Sequence, residues 1–200
     1  MASTKEIRTR MKSVEQTLKI TNAMYLIASS NLRKAKGQLQ QAVPYFTKIY
    51  TTIADILHRS PQLSHHFLDA RPEIPPEKRT VGYIVVSGDK GLAGAYNHNV
   101  LKLAEQRVRS AAHPRLFVVG LVGRAYFQER NIPFETDFSY VVQNPTMSRA
   151  RDISDEMVQR FLAGELDEVH ILYTEMVSAL RLEVRERTLL PLVREDFPWD

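Results

Sequence analysis

One stretch sets a glycine-rich turn beside residues that could do chemistry: Ser87-Gly88-Asp89-Lys90-Gly91-Leu92-Ala93-Gly94-Ala95-Tyr96-Asn97. It follows a short β-branched run, Val81–Ser87, and precedes a segment with helical spacing. A glycine-rich turn between a strand and a helix is where an α/β protein can cradle a phosphate on a helix N-terminus. The glycines here are spaced G-x-x-G-x-x-G. That is neither the dinucleotide pattern G-x-G-x-x-G nor G-x-x-x-x-G-K-[ST], and no Ser or Thr follows Lys90. The competing reading is a tight loop whose glycines need positive φ.

Asp89 stands at the C-terminal end of the strand, the place for an acid in an open α/β sheet. A catalytic acid needs a partner. His98 and His113 lie on or after the next helix, and His170 lies inside a later strand. Ser87 is not in a G-x-S-x-G elbow. His58, His65 and His66 suggest a metal site, but no carboxylates cluster with them in sequence. The chain has no cysteine, which removes disulfides, thiolate metal ligation and cysteine catalysis, and fits a reducing compartment. No pair of groups for catalysis emerges, and no cofactor is implied.

The element that dominates the chain precedes this loop. Positions spaced alternately four and three apart run from Ile7, Met11, Val14 and Leu18 through Tyr25, Leu32, Leu39 and Phe46 to Ile56, and only Thr21 among them is polar. A 3.5-residue repeat makes a stripe that stays on one side of a supercoiled helix. Residues 1–59 are predicted to be one coiled-coil helix on the order of 80 Å long. Thr4 is its expected N-cap, with Glu6 soon after. Pro44 removes the N–H that would reach the Gln40 carbonyl, so a bend is expected there. Burying one large apolar side chain is worth about 1.5–3 kcal/mol. A wet seam of this length would forfeit roughly 10 kcal/mol, so a partner helix is expected, in another chain, a second copy or a missing part of this one.

Residues 60–79 carry Pro61, Pro72, Pro75 and Pro76 and read as an irregular linker, with a short helical turn at Leu63–Leu68. Residues 80–194 read as an α/β domain. Strands are predicted at Val81–Ser87, Arg115–Gly120, Phe138–Val142 (weak), Glu168–Tyr173 and Leu182–Leu190, the last at an edge. Helices are predicted at Asn97–Ala112, Arg124–Arg130 and Ser148–Ala163, with Ser148 as cap. The alternation implies βαβ units, a mainly parallel sheet and a Rossmann-like arrangement. The tail, residues 195–200, shows no sign of a natural terminus, and the chain is expected to be truncated.

The net charge of +4 is uneven. Residues 1–60 hold ten Lys or Arg against Glu6, Glu15 and Asp55, leaving the remainder acidic. A basic rod suits a negatively charged partner surface, or is simply a solvated outer face. DNA binding fits poorly. In basic zippers a dense basic region precedes the heptads, whereas here the heptads run through the basic residues. No run is apolar enough to span a bilayer, and residues 1–12 lack the apolar core of a signal peptide.

Several separated segments together resemble one family. Ile7-Arg8-Thr9-Arg10, Ser13-Val14 and Ile20-Thr21-Asn22-Ala23-Met24 resemble the first helix of the γ subunit of F-type ATP synthases, which carries I-T-K-A-M. Gly88 to Asn97 is similar to that family's S-D-[RK]-G-L-[CA]-G-x-[YF]-N. Val119-Gly120 with Gly123-Arg124, Gly164-Glu165-Leu166-Asp167 before Ile171-Leu172-Tyr173-Thr174, and Leu189-Leu190-Pro191-Leu192 continue the match in order. Asn22 replaces the usual Lys, Gly88 replaces Ser, and the chloroplast cysteine insertion is absent. The family's second long helix, antiparallel to the first, has no counterpart here.

The resemblance implies a non-catalytic central stalk that couples proton or sodium flow to ATP synthesis. Ile20, Thr21, Ala23 and Met24 would face the catalytic subunits, and Asp89, Lys90, Gly91, Leu92, Ala93 and Gly94 their C-terminal lever segments. Implied partners are the α, β and ε subunits and the membrane c-ring, with no nucleic acid and no direct membrane insertion. The implied location is the cytoplasmic face of a bacterial plasma membrane, as a peripheral protein. The alternative is a free-standing coiled-coil dimer whose α/β domain binds nucleotide or nucleic acid.

Overall fold

The structure, a computed structural model, describes residues 3–143, 145–178 and 181–198. The described chain divides into two compact units, residues 3–59 and residues 60–198. The first is a helix, α1, Thr4–Arg59, 56 residues long. Its cap falls one residue before the expected Thr4: Ser3 Oγ accepts from Lys5 N–H at 3.4 Å, and the Ser3 carbonyl accepts from Ile7 N–H at 3.1 Å. α1 runs through Pro44 without ending, because one lost hydrogen bond cannot interrupt so many turns. Thr21, the polar exception in the stripe, donates its hydroxyl to the Thr17 carbonyl at 2.9 Å. That group is satisfied within the helix and does not oppose an apolar contact.

The second unit is built on a four-stranded sheet, β1 (Thr80–Val86), β2 (His113–Val119), β3 (Glu168–Met176) and β4 (Leu182–Leu190). The spatial order is β2-β1-β3-β4. β1 pairs in parallel with both β2 and β3, and β4 runs antiparallel at the edge. Both faces of the parallel strands are covered, which is why they read as near-continuous apolar runs. On one face Tyr83, Val85, Leu116, Val118 and Leu172 pack with Val100, Leu101 and Ala104 of α2 (Ala95–Ser110) and Phe127 of α3 (Leu121–Glu129). On the other, Ile84, Phe117, Val119 and Val169 pack with Met157 and Phe161 of α4 (Met147–Leu162). A chain that leaves β1 toward β2 and later returns to its other side at β3 makes a topological switch at the C-terminal end of β1.

Three local expectations need correction. Phe138–Val142 is not a strand. Its alternating apolar residues record burial of Phe138 and packing of Tyr140 and Val142 on the α4 side, while its Val142 N–H goes to a carboxylate. The α4 cap is Thr146, not Ser148: Thr146 Oγ1 accepts from Arg149 N–H. Only His66–Leu68 of the Leu63–Leu68 segment forms a turn of 3-10 helix.

The proline-rich segment is tied down by two arginines. Arg71, only 13% exposed, donates to the Leu166 carbonyl (2.9 Å), to Asp167 Oδ1 (2.5 Å) and to the Phe161 carbonyl, and stacks its guanidinium over the Phe161 ring. Arg79 donates to Glu168 and to the carbonyls of Ile74, Ala70 and Arg71. The tail forms a 3-10 turn at Arg194–Asp196, and its last two residues lie outside the described ones.

Candidate functional site

Two surfaces carry the candidate residues, one on each unit. On α1, Ile20 is 61% and Met24 51% exposed, and Thr21 and Ala23 are exposed beside them. The stripe around them is open as well, with Met11, Val14, Leu18, Tyr25, Leu32, Leu39 and Phe46 all exposed. The apolar stripe from Ile7 to Ile56 is a surface that calls for cover, since isolated exposed apolar residues are ordinary but a stripe of this length is not.

The second surface is the loop after β1, and its flanks are closely fixed. Ser87 is fully buried; its Oγ donates to the Val119 carbonyl (3.1 Å) and accepts from Gly123 N–H (2.9 Å). Gly88 N–H donates to Asn97 Oδ1 at 2.7 Å, and the Gly88 carbonyl accepts from Val122 N–H at 3.0 Å. Asp89 Oδ1 accepts from Leu121 N–H at 3.1 Å, and Oδ2 from the N–H groups of Val142 and Gln143, each at 2.9 Å. Lys90, Gly91, Leu92, Ala93 and Gly94 are exposed, Leu92 to 96%. Positive φ falls at Leu92 (+61°) and Gly94 (+56°), not at Gly88 or Gly91 as a loop shaped by its glycines would have it.

In this loop the groups that could serve as an acid or a nucleophile are already committed to hydrogen bonds. Both oxygens of Asp89 accept backbone N–H groups, and the Ser87 hydroxyl is engaged as donor and acceptor. His170 instead sits 3.1 Å from the Glu168 carboxylate and 3.4 Å from the Thr188 hydroxyl. The Glu168 carboxyl is pushed up by burial, but its bonds to Arg79 and His170 outweigh this and hold it below the ordinary glutamate range. At the start of α2, burial pushes the Tyr96 phenol up. Among the described residues, no group of three or more His, Cys, Asp or Glu could hold a metal ion.

Some residues that build this loop carry little signal in the sequence. A Cβ on Gly120 (φ +98°) would collide with the Ser87 carbonyl oxygen, and one on Gly123 would lie 2.7 Å from Ser87 Oγ and 2.8 Å from a Val118 methyl. These glycines let the start of α3 close onto the end of β1. Arg124 donates to the Phe138 and Thr136 carbonyls, holding the strandless segment in place. The detectable sign is the pair of glycines three apart at a strand-to-helix junction.

Comparison with known proteins shows the family of the chain. The family model described as ATP synthase matches residues 3–198. The chain is 44% identical to the ATP synthase gamma chain of Ruminiclostridium cellulolyticum, over 98% of this chain and 68% of that one. It is 43% identical to the gamma chain of Acetivibrio thermocellus, over 96% and 64%. It is 36% identical to the sodium ion specific gamma chain of Acetobacterium woodii, over 96% and 62%. A solved central stalk and c-ring of Tetrahymena thermophila mitochondrial ATP synthase is similar at TM-score 0.49 and 18% identity, covering 73% of this chain and 72% of that one. The chain thus spans about two thirds of the length of the curated relatives it matches. A match over nearly every residue, to relatives that share one name, makes this chain a member of the ATP synthase family, of its gamma-chain branch.

Proposed function

We propose that the chain is the rotor shaft of an F-type ATP synthase, coupling proton or sodium translocation to ATP synthesis and hydrolysis. The observation that carries this is α1: a gamma-family helix of 56 residues with a continuous exposed apolar stripe. The chain does no chemistry itself. An asymmetric shaft meets each catalytic subunit differently and so biases each toward a different conformation, which is population shift by differential contact. Residues 1–59 enter the ring of α and β subunits, with Ile20, Thr21, Ala23 and Met24 against the catalytic subunits. The Rossmann-like α/β unit forms the foot against ε and the c-ring. Of the loop, Lys90 to Gly94 meet the lever segments, while the Asp89 carboxylate serves the loop itself. No described helix is long and apolar enough to cross a membrane. The proposed setting is peripheral, on the cytoplasmic face of a bacterial plasma membrane.

The absence of cysteine makes a direct test available. A Met24→Cys chain carrying a short photo-crosslinker is assembled with ATP synthase α and β subunits and irradiated. A product with the catalytic subunit is expected. A product only with a second copy of the chain would overturn the shaft in favour of a self-paired coiled coil.

A further inference from the structure

Leu92 combines two unfavourable features. Its side chain is 96% exposed and its backbone is left-handed at φ +61°. A left-handed residue with a Cβ costs on the order of 1–2 kcal/mol and persists only where the surroundings over-determine it. Those surroundings are hydrogen bonds. Ser87 and Gly88 fix the entry of the loop, and Asn97 its exit. At the two ends of the tip, the Lys90 carbonyl accepts from Asn97 Nδ2 at 3.5 Å and the Ala93 carbonyl from Tyr96 N–H at 3.2 Å. The central tie is Asp89, whose carboxylate joins this loop to the first residue of α3 and to the Val142–Gln143 segment.

We infer that Asp89 is a positioning residue: through three backbone N–H donors on two other segments it fixes the Lys90–Ala93 tip for the contact proposed above. The inference rests on that reading of the tip as a contact. Asp suits the task because a carboxylate is an acceptor at both oxygens, and here both are used. An amide is not equivalent. Asn has one acceptor oxygen, and its NH2 would point at an N–H donor on the other side. Asp89→Asn therefore releases either Leu121 or the Val142–Gln143 pair, although it changes the shape of the side chain very little.

The test reads the clamp and the contact separately. Hydrogen exchange is followed in the full chain for wild type, Asp89→Asn and Leu121→Pro. Leu121 is the first residue of α3, where proline fits the helix, deletes the donor and puts a ring carbon against Asp89 Oδ1. Leu121→Pro thus opens the clamp while keeping the Asp89 charge, and stands in should Asp89→Asn fold poorly. Expected is exchange on the order of tenfold faster in both variants at the Tyr96 N–H, which closes the tip onto the Ala93 carbonyl, and in Asp89→Asn also at the freed clamp amides, with β1 and β3 unchanged. The same variants are assembled into the ATP synthase, and ion pumping per ATP hydrolysed is expected to fall in both. Unchanged exchange at the clamp and tip would overturn the clamp. Faster exchange with unchanged pumping would keep the clamp but overturn its role in the contact. Loss of pumping in Asp89→Asn alone, with unchanged exchange, would mean that the charge itself meets the partner, and would also overturn the inference.

Discussion

Replacing Arg71 with alanine should destabilise the α/β unit far more than an ordinary substitution in a proline-rich connection. The guanidinium makes three hydrogen bonds and lies 4.4 Å over the Phe161 ring. Its partner Asp167 is only 8% exposed in its side chain and is left with one remaining bond, from Thr80 N–H to Oδ2 at 2.7 Å. Removing one member of a buried, hydrogen-bonded ion pair costs about 3–5 kcal/mol, mostly because the other charge stays buried. The surviving Thr80 bond argues for the lower end, about 3 kcal/mol. With a urea dependence of about 2 kcal/mol per molar for a domain of this size, the unfolding midpoint should drop by about 1.5 M. The assay is urea unfolding of the full chain followed by near-ultraviolet tyrosine circular dichroism, in a background where Tyr25, Tyr45 and Tyr50 of α1 are phenylalanine so that the signal comes from the tyrosines of the α/β unit. Arg71→Lys should fall between, because one ammonium cannot reach two carbonyls and a carboxylate in the same geometry. Adding Asp167→Asn to Arg71→Ala should recover part of the loss by removing the stranded charge. A midpoint shift below about 0.3 M for Arg71→Ala would refute the reasoning, since the residue would then be an exposed-type ion pair worth little.

The same structure sets further outcomes. Gly120→Ala should cost more than Gly164→Ala by urea midpoint: both have positive φ, but only at Gly120 does the new Cβ meet the Ser87 carbonyl. Met24→Lys should lower the number of ions pumped per ATP in the assembled enzyme while leaving the tyrosine circular dichroism of the α/β unit unchanged. Acid should weaken the α/β unit through Glu168 and Glu105. The Tyr126 hydroxyl and Arg109 hold Glu105 low, and Arg79 and His170 hold Glu168 low against burial. Their folded-state values lie below the unfolded ones. The stability they contribute is therefore complete above the ordinary glutamate value of about 4.3 and is lost as pH falls through the folded values. Glu168→Gln should flatten the acid limb of the unfolding midpoint plotted against pH.

How far the sequence could be read depended on whether a feature was periodic or a meeting of distant backbone groups. The stripe from Ile7 to Ile56 announces α1, including its passage through Pro44, because side-chain period survives the loss of one backbone bond. β1, β2 and β3 announce themselves as apolar runs because both their faces are buried. The Phe138–Val142 error has the same origin: alternation reports which side chains are buried, and a segment can bury them without joining a ladder. Asp89 is visible as an acid at a strand end, but its donors lie 32 to 54 residues away and are backbone amides, which have no residue type to recognise. The fastening of the linker by Arg71 and Arg79 was hidden likewise, since the five carbonyls they reach are backbone groups of residues of any kind.

The central claim is that α1 turns within a catalytic ring. A single cysteine placed at exposed Lys102 of α2, in a chain that otherwise has none, gives one attachment point for a bead. The labelled chain is assembled with ATP synthase α and β subunits, the ring is fixed to a surface, and ATP is supplied. Sustained rotation of the bead in one direction, stopping when ATP is removed, is the predicted result. A ring that hydrolyses ATP at its full rate while the bead on this chain stays still would contradict the account.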